Sequence, residues 1–415
     1  MDIKAGNDSA MASIKPNTSK KLGELFRNTG ETIASIRVSS LVTDSTNERV
    51  TITEYKHVTS FNFLNTIPLT IMVPGSPPIW SPPAMPVNIQ PDVINSKMVR
   101  KAERQAQRSS IAPVFAALSV NIADTSFLPS TDLITDRNSL RKLLAFVNGR
   151  VEQIWKIDVE LVRNTMVITQ NTEGIPRHHP GGYGVSFEKA FLKYSDEFKR
   201  SREHNRVAVY KIGGMNWMVG FEVDGCYGVQ GREGLSQKLQ TLNLNPTIDV
   251  QSSDGLQKSP DTLNLNPKTQ TTYPGIRIIK TGTEISTLPL LEVKTAKMGR
   301  SPPRAKLMPQ LYFSQTKHLI VANYDGGTFD EAHITETDKT EDMREWEEEN
   351  QEKLQKLLHL ISSIRDIVNG TEGKKAVLLC ERGKKNLIRV LEQKGKGLQL
   401  EEKFVTQLWG PPIIG

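Results

Sequence analysis

The stretch LPLLEVKTAKMGRSPPRAKLMPQLYFSQTKHLIVANYD, Leu288 to Asp325, decides the fold. LPLLEVK is an apolar run of strand length. RAKLMPQLYFSQ reads as a helix, with Pro309 expected in its first turn, where a missing N–H is tolerated. HLIVANYD is a second strand. Strand, helix, strand of this length predicts a parallel crossover unit. Glu292 and Lys294 interrupt the first strand. Residues two apart on a strand share a face, with Cα atoms about 6.6 Å apart, so both side chains address one place. Charged residues are rarely fully buried unless paired or bound to metal. Glu-x-Lys alone carries nothing, since Glu54/Lys56 and Glu392/Lys394 repeat it. The context distinguishes Glu292 and Lys294: they end an apolar strand and precede a basic turn and a helix.

A second strand supplies partners. In NWMVGFEVDG, Trp217, Val219, Phe221 and Val223 form one face, and Glu222 and Asp224 share the other. Two acids on one face of an apolar strand are costly unless they bind metal or face solvent. Glu222, Asp224 and Glu292 together make an all-oxygen donor set suited to Mg²⁺ or Mn²⁺. A cation there can polarise a phosphate, and Lys294 can orient water or stabilise charge on the phosphate. The competing reading is a solvent-facing strand. Glu336/Asp338 has the same spacing but sits in what reads as a polar loop.

Outward from these strands, VTITEYKHVTSFNFL alternates like a strand. VPGSPPIWSPPAMPVNIQP, residues 73–91, predicts an extended segment laid across the domain with Trp80 as anchor. TDRNSLRKLLAFVNG is a helix: Leu140, Leu143, Leu144 and Val147 share a face, Asp136 is the N-cap, and Asn148-Gly149 is the stop. IWKIDVEL and MVIT, joined at Asn164, form a hairpin. PGGYGVSFEKAFLKYS is a glycine-rich entry into a helix, and VAVYKI, Gly213-Gly214 and NWMVGFEVDG form a second hairpin. DMREWEEENQEKLQKLLHLISSIRDIVNG reads as one long amphipathic helix whose acids form a solvated face, and KKAVLLCERGKKNLIRVLEQ as a closing hairpin. His178 and His179 are read as loop residues.

Residues 1–45 are rich in Ser, Thr, Asn and Lys and are expected to be a disordered tail. A repeat, GLSQKLQTLNLNP and GLQKSPDTLNLNP, marks residues 231–272 as a disordered insertion within one catalytic domain spanning 46–410. The 415 residues carry a net charge of +7, which permits a polyanionic partner without requiring one. Two cysteines, Cys226 and Cys380, argue against a disulfide framework and for a reducing compartment, nuclear or cytoplasmic. No apolar run is long enough for a membrane span, and the seven histidines give no zinc spacing.

FEVD, then LLEVK and a helix carrying Gln, resembles the PD-(D/E)XK nuclease superfamily and, within it, the DXO-type decapping exoribonuclease family. TDRNSLRKLL supplies the family's arginine (Arg137), and GYGVSFEKAF its first acid (Glu188). FEVD supplies Glu222 and Asp224, LEVK supplies Glu292 and Lys294, and the following helix offers Gln310 or Gln315. Of these, Gln310 is taken, because it keeps the spacing to the following strand that the resemblance implies. The resemblance runs from about residue 50 to 410, and the proline-rich segment is similar to a fungal-type branch often labelled geranylgeranyl pyrophosphate synthetase. That label finds no support, since the chain has no Asp-Asp pair of the kind prenyl synthases use. The motif after the crossover strand departs from the family, reading ANYD without the expected basic residue.

The resemblance implies a mixed α/β fold, with a mixed central sheet flanked by helices. It also implies a metal-dependent hydrolase of RNA 5′ ends, acting as decapping enzyme, NAD-cap remover, pyrophosphohydrolase or 5′-to-3′ exonuclease. Glu188, Glu222, Asp224, Glu292 and the carbonyl of Val293 would hold Mg²⁺ or Mn²⁺. Glu222, Lys294 and Gln310 would be catalytic, and Arg137 would hold substrate phosphate. The partners implied are RNA 5′ ends and a 5′-to-3′ exoribonuclease. Two rivals stay open: an inactive scaffold of the same fold, and a DNA-directed nuclease.

Overall fold

The computed structural model describes residues 25–43, 49–93, 111–120, 125–172, 181–228, 270–273, 275–281, 288–381, 387–395, 397–398, 400 and 402–411. Along the chain run β1 (Thr29–Arg37), β2 (Ile52–Leu64), β3 (Leu69–Val73), β4 (Ile79–Trp80), β5 (Val87–Asn88) and helix α1 (Ala112–Leu118). Then come β6 (Leu133–Asp136), α2 (Arg137–Val147), β7 (Trp155–Val162), β8 (Thr165–Asn171), α3 (Gly184–Phe191), β9 (Leu192–Lys193), β10 (Ser201–Ile212), β11 (Met215–Val223) and β12 (Gly225–Cys226). The last part holds β13 (Gln270–Tyr273), β14 (Ile276–Lys280), β15 (Leu290–Lys297), α4 (Arg304–Ser314), β16 (His318–Asp325) and β17 (Thr328–Asp338). It closes with α5 (Thr340–Glu349), α6 (Gln351–Asn369), β18 (Lys375–Cys380), β19 (Leu387–Gln393) and α7 (Glu402–Trp409).

The mixed α/β architecture is observed, as two sheets rather than one. The larger has the order β1-β19-β18-β7-β8-β6-β11-β10-β2-β3-β14-β13, and the smaller β5-β17-β16-β15-β12-β4-β9. The predicted crossover is present: β15 and β16 pair in parallel, Glu292 opposite Leu319, with α4 between them. Both hairpins form, β7 with β8 and β10 with β11. At the second turn Gly213 and Gly214 have φ of +54° and +77°, and a Cβ on Gly213 would meet Leu358 Cδ1 at 2.0 Å. Only glycine fits there without strain.

Apolar stripes dictate the layering. Leu140, Leu143 and Leu144 of α2 and Leu354, Leu357, Ile361 and Ile364 of α6 share one core cluster with Trp217 and Val219 of the large sheet. On its other face, α1 and α7 bury Phe115 and Trp409 with Phe61 and Ile71. Phe187 and Phe191 of α3, stacked with ring centroids 3.9 Å apart, pack with Leu291, Val293 and Phe329 of the small sheet. Trp80 anchors the proline-rich segment there, its ring 5.5 Å from that of Phe191.

Several expectations are corrected. Residues 29–37 of the expected disordered tail form β1, paired antiparallel with β19. This strand is held by its ladder more than by apolar burial, since only Ile36 in it is buried, so its polar text hides it. Residues 270–272, counted in the insertion, belong to β13, while 231–269 and the two adjacent histidines lie outside the described residues. Helix α4 begins at Arg304, which puts Pro309 inside it rather than in the first turn. The long acidic helix is two helices, broken at Asn350 (φ −116°, ψ 17°), whose side chain donates to Trp346 O at 2.7 Å. Such a residue satisfies the backbone locally and releases the helical path. Glu347 is not solvated: it is buried and accepts from Tyr312 Oη at 2.8 Å and Thr51 Oγ1 at 3.0 Å. Glu336 and Asp338 lie on β17, not in a loop. Among the described residues no helix is long and apolar enough to cross a membrane.

Candidate active site

The two sheets meet where the chain changes from one to the other. β11 is central in the large sheet, and β12, which begins one residue after Asp224, pairs with β15 of the small sheet. Glu222 and Asp224 therefore stand at the seam, against Glu292 and Lys294. Val293 N donates to Asp224 Oδ2 at 2.8 Å and so stitches the seam.

Each neighbouring helix delivers one side chain. Asp136 caps α2 by accepting from Ser139 N at 2.9 Å, which places Arg137 at the first helical position. Arg137 Nη1 lies 3.3 Å from Glu292 Oε2 and 3.3 Å from Ser314 Oγ, and its guanidinium lies 5.9 Å from the Phe221 ring centre. Asp92 caps α3, accepting from Ser186 N at 2.8 Å, and the Phe187 anchor turns the next residue, Glu188, towards the acids. From α4, Gln310 Nε2 donates to Glu292 Oε1. Gln315 instead ends that helix in a left-handed conformation (φ +51°) and donates to Tyr312 O. All eight residues singled out in the sequence are thus brought together: Arg137, Glu188, Glu222, Asp224, Glu292, Val293, Lys294 and Gln310.

Glu292 is 1% exposed and is the hub. Burial alone would raise its carboxyl, but Lys294, Arg137 and hydrogen bonds hold it below the ordinary value. Lys294 donates to Glu292 and, at 3.0 Å, to Val293 O, and its Nζ is 3.6 Å from Asp224 Oδ2. Burial works against its charge, but Asp224 and Glu292 outweigh that and keep it an ammonium. The remaining acids are crowded. Burial, then Asp224, pushes Glu188 up to about 8, and burial, then Glu292, pushes Asp224 to about 6. Glu222 is raised by its protein surroundings and by Glu203, Asp224 and Glu188, although cleft solvent reaches its side chain and tempers the shift.

Four carboxylates face one lysine and one arginine. Uncompensated negative charge with hard oxygen donors is what a divalent cation binds. The donor chemistry therefore fits Mg²⁺ or Mn²⁺. As the side chains stand, no group of three or more acids, histidines or cysteines among the described residues is arranged to hold a metal. Lys294 and Gln310 close on Glu292 instead, and must release it for a cation to enter.

Glu188, Glu222 and Asp224 line a cleft of about 1060 Å³ between the sheets, together with Arg141, Lys193, Tyr194, Arg202, Glu203 and Asn205. Sequence reading missed Arg202, Glu203 and Asn205 because it began their strand at VAVYKI, whereas β10 starts six residues earlier, at Ser201, with the polar run SREHNR. The signal was its position just ahead of a hairpin that carries FEVD. In the departing ANYD motif, Asn323 Nδ2 donates to Arg300 O at 2.7 Å and Lys297 O at 3.1 Å, fixing the turn after β15.

The two-sheet α/β fold with its cleft at the seam defines a structural class, the fold found in Rai1. A mutant S. pombe Rai1 in complex with 3′-FADP matches with a TM-score of 0.53 at 12% identity, over 86% of this chain and 98% of that one. S. pombe Rai1 matches at 0.52 and 12%, over 86% and 99%. Scheffersomyces stipitis Rai1 matches at 0.51 and 11%, over 90% and 97%. The chain itself belongs to the family described as a domain of unknown function, DUF8563, whose model matches residues 33–409. A comparison with curated proteins found no match.

Proposed function

We propose that this protein is a divalent-metal-dependent hydrolase of RNA 5′ ends, removing caps or terminal phosphates. The observation that carries the reading is that Glu188, Glu222, Asp224 and Gln310 line one large cleft, while Lys294 approaches Asp224 and Glu292 accepts from Gln310 and Lys294. It is supported by the fold shared with Rai1, one structure of which is a complex with the dinucleotide 3′-FADP.

Glu188, Asp224, Glu292 and the Val293 carbonyl, with Glu222, would hold the cation. When bound, Mg²⁺ or Mn²⁺ supplies charge that polarises a phosphate and favours ionisation of water. Arg137, pre-set by Ser314, holds a phosphate oxygen through its planar fork. Lys294 and Gln310 swing from Glu292 to orient the attacking water and the phosphate it approaches. Glu222, raised and reached by cleft solvent, takes the proton from that water as the new P–O bond forms. The old P–O bond breaks, and the leaving oxygen departs along the cleft.

Purified protein is to be assayed with 5′-triphosphate, NAD-capped and GpppN RNAs in Mn²⁺ or Mg²⁺, beside matched single-stranded DNA. Hydrolysis of at least one RNA is expected, with Asp224→Asn lowering kcat by about 10²-fold or more. Equal rates for wild type and a Glu222→Ala/Asp224→Ala variant would sink the enzyme reading in favour of a scaffold. Preference for DNA would redirect it.

A further inference from the structure

The cleft has a wall whose chemistry differs from that of the acids. On β10, Asn205 lies opposite Glu222 in the antiparallel register, so their side chains stand side by side. Three residues earlier, Arg202 places its guanidinium over the Phe63 ring, 5.2 Å from the centroid, and pairs with Glu203. Both Arg202 and Asn205 line the cleft. Arg202 Nη1 and Asn205 Nδ2 are buried and have no hydrogen-bond partner among the described residues. Buried polar groups are normally satisfied, and an unmet donor is costly. A simple ion pair accounts for the Arg202–Glu203 contact but leaves both donors open.

Their shared chemistry is that of an anion site. Both offer N–H groups, and Arg202 is fixed by Glu203 and Phe63 before anything binds, which suits a guanidinium to phosphate. Lys193 and Lys199 line the same cleft, exposed to solvent. The acids beside this wall repel a polyanion, so a long substrate needs such N–H donors to enter.

We propose that Arg202 and Asn205 form a phosphate subsite of the cleft that grips the RNA phosphodiester adjacent to the phosphate placed over the acids. Lys193 and Lys199 receive the chain as it leaves. This rests on the RNA-hydrolase reading and adds to it how the substrate beyond its reacting end is held.

The test is fluorescence anisotropy of a short 5′-phosphorylated single-stranded RNA on the full chain, with chelator to stop turnover, across a salt series. Arg202→Ala is expected to weaken binding about tenfold. It should also make the slope of log K against log salt shallower by about 0.7, one phosphate contact on a single strand. Arg202→Lys should keep the slope while losing affinity, because it keeps the charge but not the fork. Asn205→Ala should lose affinity with the slope unchanged. Unfolding midpoints of all three distinguish a binding loss from a folding loss, and if Arg202→Ala is destabilised the other two variants decide. Wild-type binding with affinity and slope unchanged in the variants overturns the subsite and leaves the hydrolase reading standing. A wild type that neither binds nor hydrolyses RNA overturns both.

Discussion

At the scale of single residues, the site is governed by unequal sharing of few cations among many carboxylates. Glu292 takes Arg137, Lys294 and Gln310, and is stably ionised. Burial and Asp224 outweigh the attraction of Lys294 on Glu188, whose value of about 8 lies above the 4.5 of an exposed glutamate. Its protonated form adds stability at low pH, and that contribution is lost as pH rises from about 4.5 through 8. A cation needs the carboxylate, so below pH 8 it must displace the proton. The rise in Tm on adding Mn²⁺ is therefore expected to be larger at pH 8 than at pH 6, read by thermal unfolding in both buffers. A larger rise at pH 6 would remove Glu188 from the ligand set. Glu222, Asp224, Glu292 and Lys294 were legible in the sequence because they alternate on apolar strands, while Arg137, Glu188 and Gln310 were reached only through the family resemblance. Arg202, Glu203 and Asn205 were not, because a polar half-strand has no apolar periodicity to announce it.

At the scale of elements, caps and breaks set where the functional side chains point. Asp136 accepts from Ser139 N, Ser139 Oγ and Gln170 Nε2 at 2.9, 2.7 and 2.8 Å, fixing the start of α2. Asp136→Ala should cost about 1–2 kcal/mol in urea unfolding. Because Arg137 is the next residue, it should also raise KM for RNA; an unchanged KM would show that the cap serves stability alone. The crossover β15–α4–β16 and the α2 cap could be read directly, since periodicity and end signals coincide there. The break at Asn350 could not, because Trp346 and Leu354 on either side stay buried and keep the helical stripe unbroken. The apolar pattern records which residues face the core, and a small backbone kink leaves that record intact.

At the scale of the whole molecule, two sheets share the labour. Their division was invisible in the sequence, because strand pairing between distant segments leaves no local mark. The same holds for β1, which the ladder with β19 secures at the edge of the large sheet. A chain beginning at Val38 would leave β19, with Val390 and Leu391 buried, as an unprotected edge. Such a variant should self-associate, detected as larger species by size-exclusion chromatography with light scattering. A monomer of normal stability would show that β1 is dispensable.

The seam between the sheets has a consequence for the life of the chain. Arg137 and Glu292, in contact, are 155 residues apart in sequence, and the acids of β11 and β15 belong to different layers. Contacts between distant segments form late, after their loop-closure entropy has been met. Neither layer alone carries the full set of acids, lysine and arginine. A nascent or half-folded copy therefore lacks the assembled site, which exists only once the two layers have docked.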